Sequence, residues 1–206
     1  MLKLLNQNFF LQDSKAVAKL LIGCVLETKK DGHITRTRIT ETEAYPSNDA
    51  ASHAFGHKVT PRTSTQYMKG GILYIYLIRG LHIMTSFVVN EVNTADVVFI
   101  RSVEPIEGTE IMLQRRRKTF KDIKNLTSGP GRLSSALGIS MRDNGQALNS
   151  DHSDIYVYSD DTYCPKIKSG QRINLGFKRG LAEKDIKLAR NAKLRFFDNK
   201  STYLSC

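Results

Sequence analysis

The strongest structural signal in the sequence is a pair of apolar segments, Ile72–Ile78 and His82–Val89, that flank Arg79 and Gly80. Both segments are rich in β-branched and aromatic residues, a composition typical of strands. A charged residue and a glycine between two such strands predict a hairpin with a tight tip. The same interruption makes the whole apolar stretch unsuitable as a membrane-spanning helix.

The rest of the chain predicts short strands and helices. A long segment at residues 46–71, rich in small and polar residues, predicts a functional or disordered loop. Because strands and helices do not alternate regularly, we expect one α+β domain over residues 1–206, with a curved, largely antiparallel sheet and surrounding helices. Strands are expected at residues 24–28, 34–44, 95–103, 155–158, 172–175 and 194–197, and helices at 14–21 (capped by Asp13 or Ser14), 107–118 and 130–137.

The charge of the chain points to a polyanionic partner. The sequence has 31 Lys and Arg against 20 Asp and Glu, a formal net charge of +11. Most of the surplus lies in two segments, residues 115–124 and 166–200, separated by an acidic stretch from Asp143 to Asp161. Clustered positive charge is typical of nucleic-acid binding, although a solvated basic surface is the alternative.

Cysteine and histidine usage predicts no metal, cofactor or disulfide. The three cysteines, Cys24, Cys164 and Cys206, are odd in number and far apart, which indicates reduced thiols in a cytoplasm. No basic and apolar leader opens the chain, so secretion is not expected. His53 and His57 match no standard zinc spacing, and a stacking or hydrogen-bonding role suits His53 better.

Two groups of residues carry candidate chemistry. Glu41, Glu43 and Tyr45 alternate along a predicted strand and therefore share one face. Two carboxylates beside an aromatic ring favour an acid–base site, and two solvated glutamates on an exposed edge are the alternative. Tyr74 and Tyr76 also share a face, where they would either stack on bases or belong to the core.

These residues recur in the order found in one known family. The sequence resembles the alkyladenine DNA glycosylases, also called 3-methyladenine DNA glycosylases, from about residue 8 to about residue 197. Six or more motifs in the same order make this a specific resemblance over nearly the whole chain. The shared motifs include residues 41–45 (ETEAY), 51–54 (ASHA), 60–62 (TPR), 73–76 (LYIY), 100–105 (IRSVEP) and 128–133 (SGPGRL).

The resemblance implies a monofunctional enzyme that flips an alkylated purine out of duplex DNA and hydrolyses its N-glycosidic bond, leaving an abasic site. The implied substrates are 3-methyladenine and also 7-methylguanine, ethenoadenine or hypoxanthine. Glu43 matches the family's catalytic glutamate, which activates a water molecule, and Arg101 matches the arginine that helps to hold that water. Tyr45, His53 and Tyr76 match residues that line the base pocket.

Three positions depart from the family pattern. Arg79 stands at the hairpin tip, where the family usually presents a tyrosine that fills the gap left by the flipped nucleotide. Ser86 stands where an asparagine excludes guanine, and a smaller serine relaxes that exclusion. His82 replaces another common aromatic residue. These departures bear on lesion range and flipping rather than on the reaction.

The resemblance and the charge together imply double-stranded DNA containing alkylated bases as the partner. Arg62, Arg79, Arg115, Arg116 and Arg132 are the candidate DNA-binding residues, and they would contact phosphates without recognising sequence. The acidic stretch should then face away from DNA. We expect a monomer in the cytoplasm, associated with the nucleoid, with no membrane contact.

Two alternatives differ in class from this hypothesis. The first is a damaged-DNA-binding module without catalysis, which the charge and the altered hairpin tip would also fit. The second is a bifunctional glycosylase and lyase that uses Lys58 or Lys69. A covalent adduct trapped with borohydride would support this alternative, and we expect none from this protein.

Overall fold

The fold is built around an antiparallel sheet. The computed structural model describes residues 1–205, apart from the side chains of Phe120, Asp122 and Lys124. Within this part of the chain the strands are β1 (Leu2–Leu4), β2 (Val25–Lys30), β3 (His33–Tyr45), β4 (Ile72–Ile78), β5 (His82–Val89), β6 (Asp96–Glu107), β7 (Ile155–Asp160), β8 (Ile167–Gly170) and β9 (Arg195–Asp198). They form one open sheet in the order β1-β7-β2-β3-β6-β5-β4, while β9 pairs with β3 and β8 pairs with β9.

Short helices pack around this sheet. Asp13 caps the second helix, because its carboxylate accepts hydrogen bonds from the backbone N–H groups of Lys15 and Ala16. Pro130 occupies the first turn of the fourth helix, where its missing N–H costs no hydrogen bond. The described helices are α1 (Gln7–Phe10), α2 (Ser14–Leu20), α3 (Thr109–Arg115), α4 (Pro130–Ala136) and α5 (Glu183–Asn191), with 3₁₀ turns at Ser64–Tyr67, Phe120–Asn125 and Met141–Asp143.

The main hydrophobic core lies where α2, α3 and α4 cover the sheet. Val17 from α2, Met112 from α3 and Leu133 from α4 are fully buried. They belong to the same apolar cluster as Phe87 and Ile100 of the central strands. The predicted α+β domain with an antiparallel sheet and surrounding helices is therefore confirmed.

The hairpin formed by β4 and β5 is confirmed with the predicted bounds. Its register runs from Ile72 opposite Val88 to Ile78 opposite His82. Arg79 and Gly80 both have positive φ, 53° and 67°, and the backbone N–H of Leu81 donates to the carbonyl of Ile78 at 3.2 Å, so residues 79–81 form a tight connection. The tip is therefore a defined turn that projects from the sheet.

Strand β6 is longer than predicted. The sequence predicted a strand over residues 95–103, with Pro105 before a helix, but β6 continues to Glu107 and Pro105 pairs with Thr37 of β3. Since β5 pairs only with residues 96–99 of β6, the far end of β6 has a free side that tolerates a proline. Helix α3 consequently begins at Thr109 and ends at Arg115, a shorter helix than predicted.

The C-terminal third departs most from the prediction. Residues 172–175, expected as a strand, are irregular, and the strand before them is β8. Helix α5 was not predicted, because it buries only Ala189 fully and leaves Leu188 exposed. Strand β1 was missed as well, since its three residues are all exposed.

No helix among residues 1–205 combines the length and the apolar composition needed to cross a membrane. Cys24 is buried, and burial raises the pKa of its thiol to about 12, so the thiol stays protonated near neutral pH. Cys164 is a free, exposed thiol. Cys206 lies outside the described residues.

Candidate active site

A cavity with a volume of about 1320 Å³ opens among the described residues. Its lining comes from β3, β4, β5 and β6, from the loop before α4, from residues 173–178 and from the C-terminal tail at residues 202–205. This volume exceeds the roughly 300–1,000 Å³ of ordinary small-molecule pockets. The sheet therefore supplies one wall of a cleft, and segments distant in sequence close the other sides.

Glu43 lies directly behind the cavity lining, and its side chain is fully buried. Its Oε1 accepts a hydrogen bond from the backbone N–H of Ile173 at 2.8 Å, and its Oε2 accepts one from the Tyr45 hydroxyl at 2.8 Å. Nη1 of Arg101 lies 3.2 Å from Oε2. The alternative of a solvated glutamate on an exposed edge is therefore wrong.

Burial raises the pKa of the Glu43 carboxyl above its ordinary value. The positive charge of Arg101 and the hydrogen bonds from Ile173 and Tyr45 oppose this shift, because they favour the ionised form. A carboxyl with a raised pKa beside a cavity is suited to proton transfer near neutral pH.

Arg101 joins Glu43 to a second buried carboxylate. Its Nε lies 3.3 Å from Oε1 of Glu41 and donates a hydrogen bond to Oγ of Ser205 at 3.0 Å. Glu41 also accepts hydrogen bonds from Nε of Arg195 and from the backbone N–H of Ser205, each at 2.6 Å. The shared face that the sequence predicted for Glu41 and Glu43 is thus built into an ionic network.

Aromatic side chains line the cavity above this network. Tyr76 stacks on Tyr74 with ring centroids 5.0 Å apart, and His53 meets the edge of Tyr76 at 4.8 Å. Tyr45 packs against Phe99 at 6.4 Å. The structure therefore brings together the three predicted pocket residues, Tyr45, His53 and Tyr76. Tyr74 is almost fully buried beside them. This agrees with the alternative prediction that one of the two tyrosines belongs to the core.

His53 is held as a neutral ring. Its Nδ1 lies 2.9 Å from the Tyr74 hydroxyl. Burial lowers the pKa of His53 to about 4, and the nearby charges of Arg62 and Lys178 act in the same direction. The imidazole is therefore uncharged at pH 7, which suits contact with a cationic or neutral aromatic ligand.

All three positions that depart from the family pattern, Arg79, His82 and Ser86, are in the cavity lining. Ser86 is buried opposite Tyr74 and Phe99 in the sheet register. His82 packs so closely on Gly131 that a Cβ at that glycine would lie 3.3 Å from Nδ1 of the imidazole. The glycine thus lets the first turn of α4 approach the hairpin.

Exposed cations surround the cavity. Arg79 at the hairpin tip, Arg132 at the start of α4, and Lys178 contribute to its lining. The Arg62 guanidinium lies 5.1 Å above the Tyr76 ring and 3.5 Å from Nε2 of His53. Three of the predicted DNA-binding arginines are therefore near the cavity.

The other two predicted DNA-binding arginines lie elsewhere and donate to backbone carbonyls. Arg115 donates to carbonyls at the β2–β3 turn and at the end of α4, at 3.0 and 3.4 Å. Arg116 donates to the carbonyls of residues 125–126 at 2.7 and 2.6 Å. Their contact with DNA stays a prediction, and the side chain of Lys124 in the same basic segment lies outside the described residues.

Sequence reasoning missed the residues that the C-terminal part brings to the site. Arg172 is buried, donates to the carbonyl of Ala44 at 3.0 Å and to Asp49 at 2.7 Å, and lies over the Tyr45 ring. Arg172 and Arg195 were noted only as part of a basic segment for phosphates. No local signal separates a buried arginine from an exposed one when its carboxylate partner is more than a hundred residues away.

Within residues 1–205, no group of three or more His, Cys, Asp or Glu side chains is arranged to hold a metal ion. His57 is exposed and lies in the loop turn after Gly56. Lys58 and Lys69, the candidates for a lyase step, are both exposed and outside the cavity lining.

Fold and site together define a class of enzyme: an α+β protein with a buried carboxylate behind an aromatic cavity and cations around the entrance. A profile of the methylpurine-DNA glycosylase family matches residues 8–201. The chain therefore belongs to the methylpurine-DNA glycosylase family, and it is an N-glycosylase of DNA repair.

Several proteins named "Putative 3-methyladenine DNA glycosylase" are similar to the chain over most of its length. A protein of Natranaerobius thermophilus is 36% identical over 181 residues, covering 87% of this chain and 91% of that protein. A protein of Desulfitobacterium hafniense is 34% identical over 211 residues, covering 99% of each chain. A protein of Borreliella burgdorferi is 37% identical over 199 residues, covering 95% of this chain and 97% of that protein.

Proposed function

We propose that the protein removes alkylated purines, 3-methyladenine foremost, from double-stranded DNA by hydrolysing the N-glycosidic bond with a water that Glu43 activates. The observation that carries this proposal is the fully buried Glu43 carboxylate, bonded to Tyr45 and Arg101 at the inner side of an aromatic cavity. The product is an abasic site and a free base. The family and the names of the relatives support the reaction class.

The target base must leave the duplex to reach Glu43. A base within the stack is not accessible to a buried carboxylate, so the nucleotide rotates into the cavity. The rings of Tyr45, His53 and Tyr76 then contact the faces of the purine. Since His53 is neutral and tyrosines have negative ring faces, these residues favour a purine that alkylation has made cationic.

The hydrolysis needs one carboxylate in two roles. Glu43 accepts a proton from water while the water oxygen bonds to C1′ and the bond from C1′ to the base breaks. Its negative charge also stabilises the positive charge that develops on the sugar. Arg101 orients Glu43 and the water. A cationic base such as 3-methyladenine leaves with the bonding electrons as a neutral molecule and needs no further proton.

Lesions other than 3-methyladenine depend on the departures from the family pattern. The small Ser86 in the cavity leaves room for the exocyclic amine of guanine, so 7-methylguanine is a proposed substrate. Ethenoadenine and hypoxanthine are neutral and poorer leaving groups, and we expect slower release of both.

The partner is double-stranded DNA, which the cations around the cavity contact through phosphates. Arg79, Arg132, Lys178 and Arg62 surround the entrance. One chain supplies the cavity, the buried carboxylates and these cations, so we propose that a monomer acts on chromosomal DNA.

Base release from methylated duplex DNA tests the proposal, with wild type, Glu43→Gln and the exposed control Glu91→Gln. Glu43→Gln is expected to bind lesion DNA and to lower the rate of base release at least about 100-fold, while Glu91→Gln releases base like wild type. Full release by Glu43→Gln would remove Glu43 from the mechanism. Binding by wild type with no free 3-methyladenine would favour the non-catalytic module instead.

Borohydride trapping tests the lyase alternative. A monofunctional enzyme forms no imine with the abasic site, so no covalent adduct of protein and DNA is expected. An adduct that disappears in Lys58→Ala or Lys69→Ala would establish a lyase step.

A further inference from the structure

Gln66 is a buried amide in the cavity lining whose polar neighbour is the Tyr74 hydroxyl, without a hydrogen bond of normal geometry to it. It lies on the 3₁₀ turn Ser64–Tyr67 and has no exposed surface. Neither Nε2 nor Oε1 makes a hydrogen bond of normal geometry with any described residue. The side chain lies beside the Tyr74 hydroxyl, whose close partner is Nδ1 of His53 at 2.9 Å.

This amide is unusual among the residues that the structure describes. Tyr67, Gln146 and Arg172 also have a buried polar atom without a partner, but each has only one, and none of the three lines the cavity. Gln66 has two such atoms, and it lies in the cavity lining with Tyr74, Tyr76 and His53. A buried amide without hydrogen bonds destabilises the folded protein, because its polar atoms have lost their hydrogen bonds to water. A ligand that forms hydrogen bonds with both atoms therefore binds favourably at this position.

We propose that Gln66 recognises the purine edge that carries the 6-substituent, an inference that rests on the proposed base excision. A glutamine amide presents a donor and an acceptor side by side, and this arrangement matches the amino group and adjacent ring nitrogen of adenine in a bidentate pair. In 3-methyladenine the 6-amino group and its neighbouring ring nitrogens remain free for this pairing. The aromatic rings contact the faces of the base, and Gln66 contacts its edge.

The same amide can pair with a 6-oxo purine after a 180° rotation that exchanges its nitrogen and oxygen. Its NH₂ group then donates to O6 of hypoxanthine, and its oxygen accepts from the N1–H of the base. Ethenoadenine cannot make either pair, because the etheno bridge joins N1 to the 6-nitrogen and removes the amino hydrogens. Gln66 therefore favours purines with a free 6-amino or 6-oxo group over the ethenoadenine lesion.

Single-turnover base release by wild type, Gln66→Met and Gln66→Glu tests this inference. Met keeps the length of the side chain without its polar atoms. Gln66→Met is expected to release 3-methyladenine and hypoxanthine roughly 10- to 100-fold more slowly, the discrimination that one bidentate pair supplies. Release of ethenoadenine by the same variant should be unchanged or faster.

Gln66→Glu separates the two pairing modes. A carboxylate accepts hydrogen bonds from the amino group of 3-methyladenine but repels O6 of hypoxanthine, so the ratio of the two rates should rise. An equal loss on all three bases by Gln66→Met, or no change on any, would overturn the inference. Thermal unfolding of each variant checks that the fold is intact. Combining each Gln66 variant with Glu43→Gln, which binds lesion DNA without base release, measures the effect of Gln66 on binding alone.

The outcomes for the two proposals are distinct. If wild type releases none of the bases, both the proposed function and the role of Gln66 fail. If wild type releases base while the ratios are insensitive to Gln66, only the role of Gln66 fails.

Discussion

Nη1 of Arg101 lies 3.2 Å from Oε2 of Glu43, where Arg101 lines the cavity, Glu43 lies behind it, and both are buried. The pair does not lower the pKa of Glu43 below its ordinary value, because the effect of burial is the larger of the two. Glu43 thus combines an ion-pair partner with enough basicity to accept a proton.

The raised pKa of Glu43 predicts the acidic side of the activity profile. Glu43 must be ionised to act as a base, so kcat/KM should fall as the pH decreases through a pKa above that of an ordinary glutamate. The dependence of kcat/KM for base release on pH measures this pKa. His53 has a pKa of about 4, and His53→Asn serves as the control, which should keep the same acidic limb. A limb at the ordinary glutamate pKa would contradict the assignment.

The same shift predicts how stability depends on pH. A carboxyl whose pKa is higher in the folded than in the unfolded state stabilises the fold when protonated, and this stabilisation is lost as the pH rises through the folded-state pKa. The free energy of unfolding of wild type relative to Glu43→Gln should therefore decrease over that window. Paired denaturant titrations at stepped pH measure the difference, and a constant difference would contradict the shift.

The position of Arg101 depends on Glu41. Glu41→Gln leaves Arg101 and Arg195 without their shared buried carboxylate, so we expect a loss of roughly 3–5 kcal/mol in the free energy of unfolding. In the same variant Arg101 has Glu43 as its remaining carboxylate partner, so the pKa of Glu43 should fall. The acidic limb of kcat/KM should then move to lower pH. Thermal unfolding and the pH profile measure the two effects. An unmoved limb in a folded variant would show that Glu41 is structural only.

The positive charges of the chain divide into two groups with different tests. Arg132 and Lys178 also donate to backbone carbonyls, but both are exposed in the cavity lining, so Arg132→Gln and Lys178→Gln should each lower the slope of log K against log salt by about one. Arg115 is half-buried, donates to internal carbonyls and lies outside the cavity lining, so Arg115→Gln should leave the slope unchanged and lower the thermal midpoint. Fluorescence anisotropy at several salt concentrations measures the slopes. An equal slope change for Arg115→Gln would restore it as a phosphate contact.

The hairpin and the capped helix α2 could be predicted from sequence because their signals are local. The β-branched and aromatic residues on either side of Arg79 and Gly80, and Asp13 before an amphipathic segment, each act within a few residues. The buried state of Glu41 could not be predicted, because it depends on Arg195 and Ser205, which lie more than 150 residues further along the chain. The resemblance identified Glu43 and Arg101 without their surroundings. Charge patterning likewise could not show that several cations are used inside the fold.

The tip of the β4–β5 hairpin presents two side chains of different chemistry for the gap left by a flipped nucleotide. Arg79 is exposed at the turn, and Leu81, next to Gly80, is 75% exposed. An apolar side chain inserts between base steps more readily than a guanidinium, which favours phosphate. We therefore expect Leu81→Ala to slow base release from duplex DNA about tenfold, since unstacking costs a few kcal/mol per step, and to leave release from single-stranded DNA unchanged. Arg79→Ala should instead weaken binding and lower its salt dependence. Fluorescence of 2-aminopurine beside the lesion reports the flipping step in both variants. A duplex-specific loss in Arg79→Ala, with Leu81→Ala like wild type, would assign the gap-filling role to the arginine.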